Sequence, residues 1–444
     1  LLAWYGNQSP TRLIEYAVIA GYLVTLVVVA FVFRRFNDNV SDYFRNGCKG
    51  TWWLVGMSVF MASFSAWTFT GAAGVAFSDG WSVMVIFLGN TIALLLNAAF
   101  LAPWFRQLRA ISAPEVIRMR FGRSTQQFYA WFTFVTYFIA AALHLYALAA
   151  FCAAVFGYDV RVIIIFVGCV VLFYSLLGGS WAVMATDFIQ SLILLPMTVL
   201  VAWLCLRQVG GIAGFFGAIQ EQGLADSFRL VKPVNPRKFI DYSWIWIVGM
   251  WLNQVMAQNA LGAAPRYFAV KDGREARQAA LLAAVCMALG CVVWFIPPMV
   301  ARLLYADAVR EVALSNPADA AYAVASLRVL PTGLTGLMVV AMFAATMSAM
   351  DTGLNRNAAV FTNDIYPALC RLFGRRPWEG RRLLMLSEFF TLLLGAIVIA
   401  IAYKMSTVEK LSIFEIMQLL GAVFGSVLVV PMFKIGRASC RESG

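Results

Sequence analysis

The residues with the most chemistry in them lie in one short stretch, FAATMSAMDTGLNRNAAVFTNDIYP, from Phe343 to Pro367. It follows an apolar run, yet Ser348, Asp351 and Thr352 are spaced i, i+3 and i+4 and share one helical face. Asn355 extends that face by a turn. Polar groups at such a depth face a bundle interior or a water-filled cavity, where they bind something or bond to one another. For Asp351 the internal alternative is a pair with Arg356, or with another arginine, that holds the helix in register. Arg356 and Asn357 are placed toward a gate rather than at a substrate. A second polar set comprises Ser63, Ser65, Trp67 and Thr68 in MASFSAWTFTG, then Asn90, and Asn253, Gln254, Gln258 and Asn259 in WLNQVMAQN. His144 is the only histidine. Trp67, Phe69 and Phe87 with Ser65, Thr68, Asn90, Asn253 and Gln254 describe an aromatic-walled pocket with neutral hydrogen-bonding groups. Such a pocket suits a sugar, a nucleoside-like or a zwitterionic solute equally well. No basic residue is placed in it, which disfavours a dianion.

The elements that position these groups follow from composition. The chain is 62% hydrophobic and 13% charged, against roughly 25% charged in a soluble domain. Apolar runs of about 20 residues recur along it, long enough to cross a bilayer core. The reading is an all-α, polytopic membrane protein, because a spanning segment must satisfy its own backbone hydrogen bonds. Eleven spans are expected, at about 13–34, 52–78, 80–105, 125–156, 160–178, 181–207, 241–265, 276–304, 333–366, 382–404 and 409–434. The net charge of +12 collects in alternate connections: Arg34 to Lys49, Arg106 to Arg123, Arg266 to Arg277 and Arg371 to Arg382. That pattern puts these loops in the cytoplasm and the N-terminus outside, and argues against nucleic-acid binding. Eight scattered cysteines form no CxxC pair and read as apolar fillers. No nucleophile–base pair, metal-ligand spacing or phosphate loop is visible, so an enzyme is not expected.

One transmembrane domain is expected over 1–434, with no cleavable leader, since the first apolar run is too long for one. The tail, 435–444, contains IGRASCRE, which resembles a translated sequencing adapter; it is set aside, and the natural chain is expected to continue. Two strings of small residues, TGAAGVAF (Thr70–Phe77) in span 2 and LGAAPRYF (Leu261–Phe268) in span 7, stand at matching places. They open two sets of five spans of opposite orientation, about 52–207 and 241–434. Breaks at Gly71–Gly74 and Gly262–Pro265 are expected, as in transporters built from inverted repeats. The competing use of such strings is close helix packing.

Several motifs together resemble the sodium/solute symporter family, here in a bacterial member. They are GGSWAVMATDFIQS (Gly178–Ser191), NQVMAQ with RYFAVKDGREAR (Arg266–Arg277), PADAAYAVASLRVLPTGLTGL (Pro317–Leu337) and MSAMDTGLNRNAAVFTNDIYP. The resemblance covers about 50–433. It implies a five-plus-five inverted-repeat fold after one leading helix, and alternating access around a midplane site. It implies a cation-coupled symporter, with sodium as the coupling ion and a proton as the alternative. The importer would take up a small organic solute across the cell inner membrane, needing no organic cofactor and no oligomer. By position, the resemblance carries the sodium site to the carbonyls of Met61, Phe64 and Ala345 and the hydroxyl of Ser348. Where the family has a second hydroxyl this chain has Ala349. Asp351 or Thr352, one turn on, are the candidates to replace it, and Asp187 matches a family acidic position nearby. The alternative function is a transporter-like sensory module of a signalling protein; an integral membrane enzyme and a channel rank below it.

Overall fold

A computed structural model describes residues 9–34, 49–108, 112–235, 240–312, 314, 316–408, 413–421 and 427. Within helices, the side chains of 9–12, 30, 33–34, 174–182, 351, 352, 355, 381 and 384 are outside the described set. Among the described residues the chain is helical, with one isolated bridge between Gly50 and Val270. The first half contains α1 (Ser9–Arg34), α2 (Trp52–Ala62), α3 (Ala66–Phe69), α4 (Gly71–Asp79), α5 (Met84–Leu96), α6 (Ala102–Gln107), α7 (Ala113–Phe156) and α8 (Val160–Gln208). Then follow α9 (Gly211–Glu221), α10 (Trp244–Gln258), α11 (Ala264–Tyr267), α12 (Gly273–Val293), α13 (Ile296–Leu304), α14 (Ala306–Arg310) and α15 (Ala321–Val329). The last are α16 (Leu334–Val360), α17 (Tyr366–Leu372) and α18 (Gly380–Met405). Among the described residues, five helical stretches are long and apolar enough to cross a membrane, and four shorter apolar ones accompany them.

The helices pack as two groups. In one, α12 lies against α2 and α5, and α10 lies against α5. In the other, α16 packs on α7 and α8, α18 packs on the same two, and α1 covers α8 and α16. The groups meet where α2 touches α8 and α16, and where α3 touches α7.

Three expectations need correction. The sequence separates spans at 178–181, but the backbone is helical from Val160 through Gln208. The connection 208–240 carries a helix, α9, and the one before span 9 carries α14 and α15. Polar ends had marked these stretches as loops, although each turns an apolar face inward: Phe215, Ile219, Val309 and Tyr322 are buried. Ahead of span 4 a short helical segment starts at Ala113, where Ser112 caps it by accepting from the Glu115 N–H. Gly122, at φ +82, then turns the chain before the long apolar part.

Both spans are broken, and in span 2 the break is displaced. In span 2 the helix stops at Ser63–Ser65, and it is irregular again at Thr70. Gly71–Gly74 lie within α4. Gly74 serves close packing instead: a Cβ there would stand 2.6 Å from Asp319 Oδ1. In span 7 the α-helix ends at Gln258, a 3-10 turn spans Leu261–Ala263, and Pro265 opens α11. Gly262 is therefore inside the second break.

Candidate functional site

Span 2 is broken by its own side chains and by a neighbour. Ser65 adopts an extended conformation, and its hydroxyl accepts from the Trp67 N–H at 3.3 Å. The Ala66 N–H, which has no partner in its own short helix, donates to Thr346 Oγ1 of α16 at 3.0 Å. A side chain on another helix thus completes the cap that a buried helix start requires.

Beside this break lies a cavity of about 330 Å³. It brings together all six residues assigned to the solute pocket: Ser65, Trp67, Thr68, Asn90, Asn253 and Gln254. Phe87 also lines it, while Phe69 does not and is buried against Phe64 and Tyr322. Trp67 stacks between Phe87, at 6.1 Å, and Phe414, at 5.7 Å. Gln258 donates to Asn90 Oδ1 at 3.3 Å, which fixes one wall. Asn253, Gln254 and His144 carry no hydrogen bond to protein among the described residues, and all three border the cavity. α7 adds a face that the sequence reading left out of the pocket: Thr136, Tyr137, Ala140 and His144. Residues 137, 140 and 144 follow the i, i+3, i+7 rhythm of one helix face, which is the signal that could have found them.

The residues assigned to the ion lie next to the break, on α2, α8 and α16. Met61, Phe64, Ala345 and Ser348 are all buried. The Met61 carbonyl accepts from the Phe64 N–H at 3.2 Å. Ala345 and Ser348 stand in the middle of α16, whose backbone is helical throughout, so Ala345 offers only the second lone pair of a bonded carbonyl. The side chains of Asp351 and Thr352 lie outside the described residues, and so does Asn355.

Asp187 is the centre of a buried polar knot. It has no exposed surface, and Arg266 Nη1 lies 3.1 Å from its Oδ2. Ser58 donates to the same Oδ2, and Arg266 also donates to the Ser58 carbonyl and hydroxyl oxygens. The Ser348 hydroxyl lies beside the carboxylate and interacts with it. Asp187 Oδ1 is buried and receives no hydrogen bond of normal geometry. Arg266 had been grouped with a basic cytoplasmic loop. The second break turns the chain so that α11 carries it inward, where the only stable state of its charge is a paired one. Ser58 and Thr346 were not singled out. Arg356 does not line the cavity, but it donates to the hydroxyl of Tyr137, which does.

A small hard cation needs several oxygens from rigid elements. The Asp187 Oδ1, the Ser348 hydroxyl and the Met61, Phe64 and Ala345 carbonyls form a donor set of that chemistry. Asp187 Oδ1, on a carboxylate beside the Ser348 hydroxyl and making no hydrogen bond of normal geometry, is the feature that fits sodium best, because a buried carboxylate oxygen is stabilised by a nearby cation.

The human sodium/myo-inositol cotransporter 2 is 28% identical over 86% of this chain and 59% of its own length. The rat sodium/glucose cotransporter 2 is 25% identical over 93% of this chain and 67% of its own length. A sodium/sialic acid symporter of Proteus mirabilis (strain HI4320) is 26% identical over 81% and 72%. The chain spans about three-fifths of the length of most of the curated relatives it matches. In fold it is similar to a Na+-coupled sialic acid symporter solved in a substrate-bound outward-open state. The TM-score is 0.80, with 22% identity, covering 95% of this chain and 86% of that one. Residues 43–438 match the sodium:solute symporter family over nearly the whole sequence, and the chain belongs to that family.

Proposed function

We propose that this chain is the transport unit of a sodium-coupled symporter that imports a small polar organic solute by alternating access. The observation that carries this reading is the cavity itself, which lies beside the broken span 2 and has polar groups unsatisfied by protein on its walls. Substrate contact falls to Ser65, Trp67, Thr68, Asn90, Asn253 and Gln254. Ion contact falls to Met61, Phe64, Ala345 and Ser348, with Asp187 supplying the oxygen that Ala349 lacks; Asp351 and Thr352 remain candidates for the same shell. An inverted repeat is supported by the packing: each of the two helix groups draws two members from 52–208 and two from 244–405. Such mixing lets one group rock against the other around a fixed site. Placement in the cell inner membrane, with the N-terminus outside and basic loops inside, follows from the charge pattern.

The test is uptake into proteoliposomes of a labelled library that includes glucose, myo-inositol and sialic acid. Accumulation should require an inward sodium gradient. Accumulation driven equally by a proton gradient in sodium-free buffer would replace sodium by a proton. No gradient-dependent uptake of any solute would overturn the reading.

A further inference from the structure

The cavity has one end that is not neutral. Arg356 of α16 donates from Nη1 to the Tyr137 hydroxyl, and its guanidinium carbon lies 4.9 Å from the centre of the Tyr137 ring. Gly262, in the break of span 7, completes the contact: a Cβ there would lie 3.2 Å from the Tyr137 hydroxyl and 3.9 Å from Arg356 Nη1. A phenol oxygen that accepts from a guanidinium keeps its own O–H to donate. Among the described residues that hydrogen has no acceptor, and Tyr137 borders the cavity.

Arg356 has no carboxylate partner among the described residues, and its Nε is buried without a hydrogen bond. The neighbouring Arg266 is already matched to Asp187. The two arginines are close enough to repel one another. Among the described residues one positive charge is therefore left over beside the cavity. An unmatched charge at membrane depth is expensive, and such residues mark substrate or ion pathways. The other walls are different in kind. Asn90, Asn253, Gln254 and Gln258 offer neutral donors and acceptors in equal measure.

We infer that the transported solute carries a single carboxylate, bound at the Tyr137 end of the cavity. The Tyr137 O–H donates to the carboxylate, and Arg356, fixed behind it, is the specificity-determining charge. The neutral walls take the hydroxyl or amide groups of the remainder. One donor backed by one charge matches a carboxylate better than a doubly charged phosphate. This inference rests on the transport reading above.

The experiment uses matched pairs that differ only in charge: glucuronate against glucose, and N-acetylneuraminate against its methyl ester. Sodium-dependent uptake and binding are measured with the reconstituted chain. The acid of at least one pair should be preferred by about tenfold or more, the scale of a hydrogen bond to a charged group. Arg356→Gln and Tyr137→Phe should each weaken the acid about tenfold more than its neutral partner, and Arg356→Lys should keep part of the preference. Preference for neutral members, or equal weakening of both members in Arg356→Gln, overturns the inference and leaves the transport reading standing. If Arg356→Gln does not fold, the wild-type preference and Tyr137→Phe decide. Absence of sodium-dependent uptake across the whole library overturns both.

Discussion

Removing one charge from the Asp187–Arg266 pair should damage the protein more than removing both. Asp187 has no exposed surface, Arg266 is 8% exposed, and the charged atoms lie 3.1 Å apart. With an effective dielectric constant of about 20, two unit charges at that separation attract by roughly 5 kcal/mol. Desolvation of both groups offsets most of that gain, so the pair itself adds little net stability. Asp187→Asn, however, leaves a buried guanidinium with no counter-charge, a change that costs about 3–5 kcal/mol. Arg266→Gln leaves a buried carboxylate and should cost a similar amount. In the double variant Asp187→Asn/Arg266→Gln both charges are gone, and the amides can still bond with Ser58. Its loss should be smaller than either single loss, which makes the coupling energy about 3 kcal/mol. Melting of the four proteins in detergent with choline in place of sodium reads this cycle without ion binding. The single variants should melt on the order of 5 °C lower than the wild type. Additive losses would refute the view that the two charges exist for one another. Adding sodium then separates structure from ion binding. A ligand at about 100 times its Kd stabilises by about 2.7 kcal/mol. If Asp187 Oδ1 holds the ion, the double variant should be stable yet show no sodium-dependent shift. A full shift would remove Asp187 from the ion site.

Ser348→Ala should lower apparent sodium affinity roughly tenfold, since it removes a hydroxyl from a short ligand set, and Ala349→Ser should raise it; the half-saturating sodium concentration for uptake reads both. Thr346→Val leaves the Ala66 N–H unsatisfied at the break and should destabilise by about 1–3 kcal/mol, whereas Thr346→Ser should not; thermal melting distinguishes them. Asp319, in the connection before α16, is pushed up to about 7 by burial, which outweighs the hydrogen bond from Asn316. Its proton is therefore held more tightly in the folded state than in the unfolded chain. Stability should fall as pH rises from about 4 to about 7, and Asp319→Asn should flatten that slope in melting curves taken across the range.

The grouping of Asn90, Asn253 and Gln254 around one cavity was legible in the sequence, because lipid penalises exposed polar groups and these could face only inward. Tyr137 was not, because an aromatic residue in an apolar run gives no such signal. The break in span 2 was found at the wrong residues for a physical reason. Small residues permit both bends and close contacts, and Gly74 is used for contact with Asp319. The actual break depends on Thr346, a residue 280 positions from the amide it caps. The Asp187–Arg266 pair was hidden for the same reason: its members are 79 residues apart, and Arg266 looked like part of a basic loop.

The structure changes how the ion site is understood. Had α16 been broken at Ala345, its backbone could have supplied freed carbonyls, and the loss of a hydroxyl at Ala349 would have mattered little. Because α16 is continuous there, that side of the site depends on side-chain oxygens, and Ala349 removes one of them. In the proposed site Asp187 would compensate, with Oδ2 committed to Ser58 and Arg266 and Oδ1 making no hydrogen bond of normal geometry. A carboxylate divided in this way would serve a fixed cation and a mobile one at once. Each weakens the hold of the other, because a single negative charge cannot fully offset two positive ones in a dry site. If Asp187 holds the ion, sodium affinity should depend on how firmly Arg266 is seated, and hence on the break in span 7 that aims α11 inward. An ion site on α2, α8 and α16 would in this way be tied to span 7, whose first helix, α10, carries Asn253 to the cavity.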